Sequence, residues 1–294
     1  MTVRPPNAGI WGFYPVEREL LVKTLERCFK DEVYGPGRLP GPRRSGRAIG
    51  GIAPHAGYTY SGPCASWLYL RLAEEAVDFD TVVVIGTNHT GYGEKLTTTT
   101  YYTKWTTPLG DVSIDSEFTG KLVEAGVVDD HRAHEQEHSV EVQLPFLQYV
   151  FKNNWKLVPL VAQPMTPREA EAYASLLEKT ASDLGRTPLY IVSSDFTHHG
   201  PMYGYVLYTV NPIEKVGELD AGFIESIEKL DLEEFYSLIN RYKATVCGWP
   251  AIMILMSIAR RRELGLKLLK YYNSGELTGD ESVIVGYASI IATK

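Results

Sequence analysis

The sequence predicts an α/β layered protein: one domain over residues 1–294, on a largely parallel sheet with an antiparallel edge. Two observations carry this. Short apolar, β-branched runs alternate from end to end with stretches of helical spacing. No internal repeat, low-complexity segment or shift in composition marks a boundary, and 44% hydrophobic residues in a chain of 294 allow one sizeable core.

The elements follow in order. Residues 1–15 are irregular, with Pro5, Pro6, Gly9 and Gly12. Val16 to Lys30 places Leu20, Leu21, Leu25 and Phe29 on one side of a helix. Gly35 to Gly46, rich in Pro, Gly and Arg, is an exposed loop. Ala48 to Ala53 is a strand running into Pro54-His55-Ala56-Gly57, and Ser61 to Val77 is a helix with Ser61 as N-cap and Pro63 in its first turn. Thr81 to Ile85 is a central strand that ends in Gly86-Thr87-Asn88-His89. Residues 95–114 form a hairpin or two short strands around Pro108-Leu109-Gly110. A short helix covers Ser116 to Ala125, and Asp129 to Glu137 is a charged loop or the start of a helix. Ser139 to Phe151 is a helix kinked by Pro145. Trp155 to Val161 is a strand, Pro167 to Leu184 a helix, and Pro188 to Ser194 a strand. Ile213 to Tyr242 holds two helices that break near Leu230-Asp231, where Asp231 and Glu234 make a capping box. Trp249 to Leu264 is an apolar helix. Leu266 to Tyr272 and Ser282 to Ile291 are strands joined by a glycine-containing turn.

Composition excludes several classes. A net charge of −7, with only short basic runs at Arg43-Arg44 and Arg260 to Arg262, argues against nucleic acid as a partner. Three cysteines, Cys28, Cys64 and Cys247, form no CxxC pair, which argues against a disulfide framework and for a reducing cytosol. The first residues lack the apolar core of a signal peptide, and the longest apolar run, Trp249 to Ala259, is too short to span a bilayer.

The chemistry gathers where strands end. Three apolar runs each give way to histidine within a few residues: His55, His89, and His198 or His199. In a parallel sheet these loops open on one edge, where ligands bind. His55, His89 and Asp195 can form the two-histidine, one-carboxylate triad of open metal sites, with His198 as an acid/base group or extra ligand. Cys247, at the start of the apolar helix, can bind metal as a thiolate. The competing roles are ordinary ones: His55 and Asp195 as turn caps, His89 as a hydrogen-bonded loop residue, Cys247 as a small buried hydrophobe. His199 is read as structural. Tyr58, Tyr60 and Tyr203 are read as pocket walls, with half-buried packing as the alternative.

His134-Glu135-Gln136-Glu137-His138 matches the zinc-peptidase pattern HExxH. That pattern needs one helix presenting both histidines to one metal. The polar approach Val128 to Arg132 offers no apolar stripe, so the match is read as accidental. Glu137 and His138 are instead expected in the pocket, holding a substrate or acting as base. Ser193-Ser194 lacks the GxSxG elbow of a serine hydrolase, and Gly57 to Gly62 lacks the lysine of a P-loop.

Six segments together resemble the Memo family: Ala53 to Pro63, Gly86 to Gly91, Glu137 to Phe146, Ser193 to His198, Cys247-Gly248 and Val285 to Ser289. The resemblance runs through nearly the whole chain. It implies a three-layer αβα fold related to the LigB-type class III extradiol dioxygenases, which are non-haem iron enzymes. It implies a pocket metal whose ligands match His55, His89 and Cys247, with Asp195 and His198 beside them. Iron and copper binding and copper-dependent redox activity are attributed to eukaryotic relatives, which also act in cell motility and bind phosphotyrosine peptides. A thiolate on the metal is unusual for ring cleavage, so catechol dioxygenase activity is not carried over.

The resulting expectation is a cytosolic metal-binding protein with a dioxygenase-like pocket. Iron or copper, with zinc as third option, sits on His55, His89, Asp195 and Cys247 and performs redox chemistry on a small molecule. His198, His138 and Glu137 move protons. The rival expectation is a non-catalytic module that binds a peptide or small ligand through a vestigial metal pocket. Oligomeric state, substrate and reaction are left open.

Overall fold

The computed structural model describes residues 2–44, 46–151 and 155–294; Ser45, within the expected loop Gly35 to Gly46, lies outside them. The chain opens with β1 (Val3–Arg4), α1 (Asn7–Ile10), α2 (Arg18–Lys30), β2 (Ala48–Ala53), α3 (Tyr58–Glu75) and β3 (Thr81–Thr87). Next come β4 (Leu96–Thr98), β5 (Lys104–Thr107), β6 (Gly110–Ser113), α4 (Ser116–Glu124), β7 (Val128–Asp129) and α5 (Arg132–Glu135). A 3-10 turn at Glu141–Gln143 leads to α6 (Leu144–Val150), β8 (Lys156–Ala162), α7 (Pro167–Asp183), β9 (Pro188–Ser193) and β10 (His198–His199). The last elements are α8 (Pro212–Glu228), α9 (Leu232–Tyr242), α10 (Trp249–Arg261), β11 (Gly265–Asn273), α11 (Ser274–Thr278) and β12 (Ile284–Thr293).

Among the described residues the main sheet has nine strands in the order β10-β12-β2-β9-β3-β8-β4-β7, with β11 also on β12. Its centre, β2, β9, β3 and β8, is parallel. β12 and β4 flank that centre antiparallel. The sheet is therefore mixed and mostly parallel at its core, as the alternation of elements predicts. A second, small sheet joins β1, β5 and β6.

The layers follow from alternation along β3. Val82 and Val84 pack with Leu25 of α2, Leu68 of α3 and Phe146 of α6. Val83 and Ile85 pack on the other face with Leu177 of α7, Phe223 of α8 and Ile254 of α10. Side chains one residue apart point to opposite faces of a strand. A run of β-branched residues without polar alternation thus needs helices on both faces, which gives three layers, α, β, α. Among the described residues no helix is long and apolar enough to cross a membrane.

Several local expectations are corrected. α3 starts at Tyr58, not at Ser61. Gly57 is its N-cap, the Tyr58 N–H is donated to Phe13 O, and the Ser61 hydroxyl turns back to Ala56 O. Pro63 therefore lies a turn deeper than expected, within the helix. Ser139 to Phe151 is not one kinked helix. A turn and a 3-10 segment precede α6, and Pro145 sits at its start, where its missing N–H costs nothing. Asp231 caps α9 by accepting from the Glu234 N–H at 3.0 Å, but the return bond is not made, because Ser226 O already takes the Asp231 N–H. β11 and β12 are joined by α11, capped by Asn273 and stopped by Gly279 at φ +72°, rather than by a simple turn. Of the segment 95–114, β5 and β6 form the expected hairpin while β4 joins the main sheet.

The HExxH segment is broken. α5 ends at Glu135, so His134 and His138 do not share a helix face. Arg4 is the reason. It is fully buried, pairs with Glu141, and donates to the carbonyl oxygens of His134 (2.7 Å) and Glu137 (2.6 Å), taking acceptors that a continuing helix would use. His134 is fully buried beside Trp105, away from the site.

Candidate metal centre

β9 lies between β2 and β3, and all three are parallel, so their carboxyl ends share one edge. His55 follows β2 by two residues, His89 follows β3 by two, and Asp195 follows β9 by two. Cys247 reaches this edge from the turn before α10. The Gly248 N–H is donated to Ser194 Oγ at 2.9 Å, and a Cβ on Gly248 would stand 2.4 Å from the Ser194 Cβ. The turn can close on the strand end only because residue 248 has no side chain. The Asp195 N–H is donated to Cys247 Sγ at 3.2 Å.

The hydrogen bonds behind each imidazole decide which nitrogen faces the site. Gln143 Nε2 donates to Pro54 O (3.0 Å) and to Ser193 Oγ (2.7 Å). The Ser193 hydroxyl donates its one proton to Ser139 O at 2.6 Å. Its contact with His55 Nδ1, at 3.0 Å, must then be a bond donated by the ring. That leaves His55 Nε2 as a bare lone pair, 3.2 Å from Cys247 Sγ. The Tyr69 hydroxyl completes the chain by donating to Gln143 Oε1 at 2.6 Å.

His89 is held by a carboxylate instead. Its backbone N–H and its Nδ1 both meet Glu137, at 2.7 and 2.9 Å. Glu137 also accepts the Ser139 N–H at 2.9 Å. Burial alone would raise the Glu137 carboxyl, but the His89 hydrogen bond and charge override it and hold it at about 2. Burial works against charge on His89, yet the Cys247 thiol and Glu137 push it up to about 9.

The outcome is a compact donor set. The ligand atoms of His55, His89 and Cys247 all lie within 4.8 Å of one another. His89, Glu137 and His138 meet the same limit, but Glu137 already accepts three hydrogen bonds. The first group is therefore the better cradle for an ion. Two imidazoles and a thiolate suit copper, zinc or iron better than a hard cation such as magnesium.

A family model described as Memo-like protein matches residues 4–291. The chain belongs to the Memo family. It is 39% identical to a MEMO1 family protein of Methanopyrus kandleri, over 98% of this chain and 97% of that one. It is 37% identical to one of Ignicoccus hospitalis, over 99% and 98%, and 38% identical to one of Sulfolobus acidocaldarius, over 97% of each.

In this Memo-family chain the expected site residues converge, with their places sorted. A cavity of about 460 Å³ is lined by His55, His89, His138, Asp195 and His198. Asp195 stands outside the donor group: its Oδ1 accepts the N–H of His55 (2.8 Å) and Ala56 (3.3 Å), and its Oδ2 is 3.9 Å from His55 Nε2. Glu137 sits behind His89 and does not line the cavity. His138 stacks on Phe13 at 4.3 Å and on His89 at 4.7 Å. Burial, then the neighbouring imidazoles, lower it to about 3, so its ring is neutral. His198 Nδ1 lies 3.0 Å from the carbonyl oxygens of both Phe196 and Thr245, so it carries the proton and Nε2 is an acceptor. Burial also lowers His198. His199 is structural: it accepts the Tyr208 N–H and stacks on that ring. Tyr60 and Tyr203 line the cavity, while Tyr58 is packed, its hydroxyl donated to Val142 O.

Five residues of the site have roles that the sequence does not signal. Gln143 and Tyr69 read as ordinary helix residues, because nothing near them signals their contact with a strand end. Ser193 reads only as a candidate nucleophile. Phe13, in the cavity wall, lies in an irregular stretch that carries no motif, and Tyr287, also in the wall, lies in the segment Val285 to Ser289, which reads as the interior of a strand.

Proposed function

We propose that this chain holds a redox-active transition metal, iron or copper with zinc as third option, on His55, His89 and Cys247, and acts on a small molecule in the adjoining cavity. The observation that carries this is the mutual 4.8 Å limit among three donors drawn from separate loops. The far nitrogens of both rings are tied to Ser193 and Glu137, which turns each Nε2 toward the thiol. A bound iron or copper ion would supply one-electron redox chemistry at the cavity floor. His198 Nε2, a neutral acceptor on the wall, can take a proton from a bound substrate, and His138 keeps water from one side of the floor by stacking with Phe13. Cys28, Cys64 and Cys247 are all free, which supports a reducing cytosol.

Metal analysis of natively purified protein tests the reading. Stoichiometric iron, copper or zinc in wild type, lost in His55→Ala and Cys247→Ser, is the expected result. Metal near zero that stays low after reconstitution overturns it. An oxygen-uptake assay then separates chemistry from binding: equal background rates for wild type and His55→Ala would favour the non-catalytic binding module.

A further inference from the structure

We propose that Arg4 is a positioning residue for His89, acting through Glu137, so that the site is complete only with the N-terminal segment docked beside it. This rests on reading His89 as a metal ligand and adds the residue that holds its support in place.

Arg4 is fully buried, and every nitrogen of its guanidinium donates. Nε donates to His134 O at 2.7 Å. One terminal nitrogen donates to Glu137 O (2.6 Å) and Glu135 O (3.5 Å), the other to Glu141 and Pro5 O (3.3 Å). The carbonyls of His134, Glu135 and Glu137 thus converge on one planar fork, and the segment wraps around it as a hook. The hook ends at Glu137 and aims its carboxylate, which meets the His89 N–H (2.7 Å), His89 Nδ1 (2.9 Å) and the Ser139 N–H (2.9 Å). Glu141 fixes the other side of the fork. It is fully buried, and its donors among the described residues all come from the N-terminal segment: Arg4, the N–H groups of Ala8 (2.9 Å) and Gly9 (3.4 Å), and the Tyr14 hydroxyl. The same segment brings Phe13 onto His138 at 4.3 Å.

The arrangement is costly, which argues against a role in stability alone. Well-packed apolar residues often serve a fold as well as a buried Arg–Glu pair, or better. Arg4 also lies over the Trp105 ring at 4.2 Å, and His134 stands edge-on to that ring. Trp105 Nε1 and both ring nitrogens of His134 are buried without a hydrogen-bond partner among the described residues. Unpaired polar atoms of this kind destabilise a fold. Local cost that persists in this way gathers at functional sites. Here it accompanies a fixed direction for the Glu137 carboxylate, behind a ring of the donor group.

The test reads amide hydrogen exchange by NMR, residue by residue, on the metal-free full chain. The His89 and Ser139 amides donate to Glu137, whereas the His55 amide donates to Asp195, which Arg4 does not touch. Arg4→Met alone strands the Glu141 charge in the interior, so it is combined with Glu141→Gln, which keeps an oxygen for Ala8 and Tyr14. Arg4→Lys is the second variant: it keeps the ion pair but loses the fork. In both, the His89 and Ser139 amides are expected to exchange about tenfold faster while His55 stays at the wild-type rate. Zinc affinity, by chelator competition, should fall about tenfold. Arg186→Met is the control. It removes an arginine pair with Asp115 just before β9, at the opposite edge of the sheet. It should lower the unfolding midpoint and leave the ratio of His89 to His55 exchange at the wild-type value. His89 exchange at the wild-type rate in both Arg4 variants, an equal rise at His55, or wild-type zinc affinity in both would each overturn the proposal. A wild-type chain that binds no zinc defeats the metal reading instead, and the exchange ratio still decides whether Arg4 positions His89.

Discussion

Glu137 and Asp220 are both fully buried carboxylates, and each braces one wall of the cavity. Glu137 grips His89 from behind. Asp220, on α8, accepts the Thr197 N–H (3.2 Å), the Thr197 hydroxyl (2.5 Å) and the Tyr271 hydroxyl (2.7 Å), and so fixes the residue before His198. Their titration runs in opposite directions. Glu137 meets an imidazole that can carry charge and is held at about 2. Asp220 meets neutral donors only; burial dominates, its hydrogen bonds offset it in part, and its carboxyl is pushed up to about 7. The contrast shows that hydrogen-bond number does not decide the charge of a buried acid. What decides is whether a partner can become positive.

The largest expected effect tests this directly. Asp220 keeps its proton in the fold across a range where the unfolded chain has lost it, so the fold binds more protons there. Its contribution is complete below about pH 4 and is lost as pH rises through 7, at about 1.4 kcal/mol per pH unit. Denaturant unfolding of metal-free wild type minus Asp220→Asn should show this slope; parallel pH curves would sink the claim. For Glu137 the sign is reversed: its stabilisation is present above about pH 4.5 and is lost as pH falls toward 2.

The next effect concerns the neutral wall alone. A Cβ on Gly286 would lie 2.0 Å from Asp220 Oδ2 and 3.0 Å from the Phe196 Cβ. Gly286→Ala should destabilise the fold by about 1–3 kcal/mol, read by thermal or denaturant unfolding. An unchanged transition would mean that the carboxylate is not packed as tightly as described.

On the charged wall, Glu137→Gln should lower metal affinity by about 10–100-fold, measured by competition with a chelator, because His89 loses its ionised support. Asp220→Asn should leave metal affinity unchanged. Equal losses in both variants would erase the distinction between the walls. The smallest effect is none: Glu135→Ala should leave metal content at the wild-type value, since neither Glu135 nor His134 belongs to the donor groups or the cavity lining.

Much of this was legible in the residues, and the reasons for that are local. Thr81 to Ile85 reads as a central strand because its β-branched run has no polar alternation, and in β3 odd and even positions alike are buried. His55 and His89 read as edge residues because each follows such a run. Where the reading failed, the missing partner was distant in sequence. Pro145 looked like a kink because the 3-10 turn before it leaves no local trace. Asp195 could be placed at the edge, but not sorted between a metal ligand and a free wall acid, because that depends on which N–H groups reach Oδ1.

The sequence by itself determined the alternation of strands and helices, and with it the shared edge on which histidines, carboxylate and thiol arrive, since periodicity and chain breaks act over a few residues. Only the tertiary structure decided which ring nitrogen faces the thiol, and which distant residue, Arg4, breaks the HExxH segment. Those outcomes rest on contacts such as Cys247 with His55, 192 residues apart, and Arg4 with the His134 carbonyl, 130 apart. A hydrogen bond is satisfied by whatever the fold brings within about 3 Å, and neighbours along the chain carry no record of it.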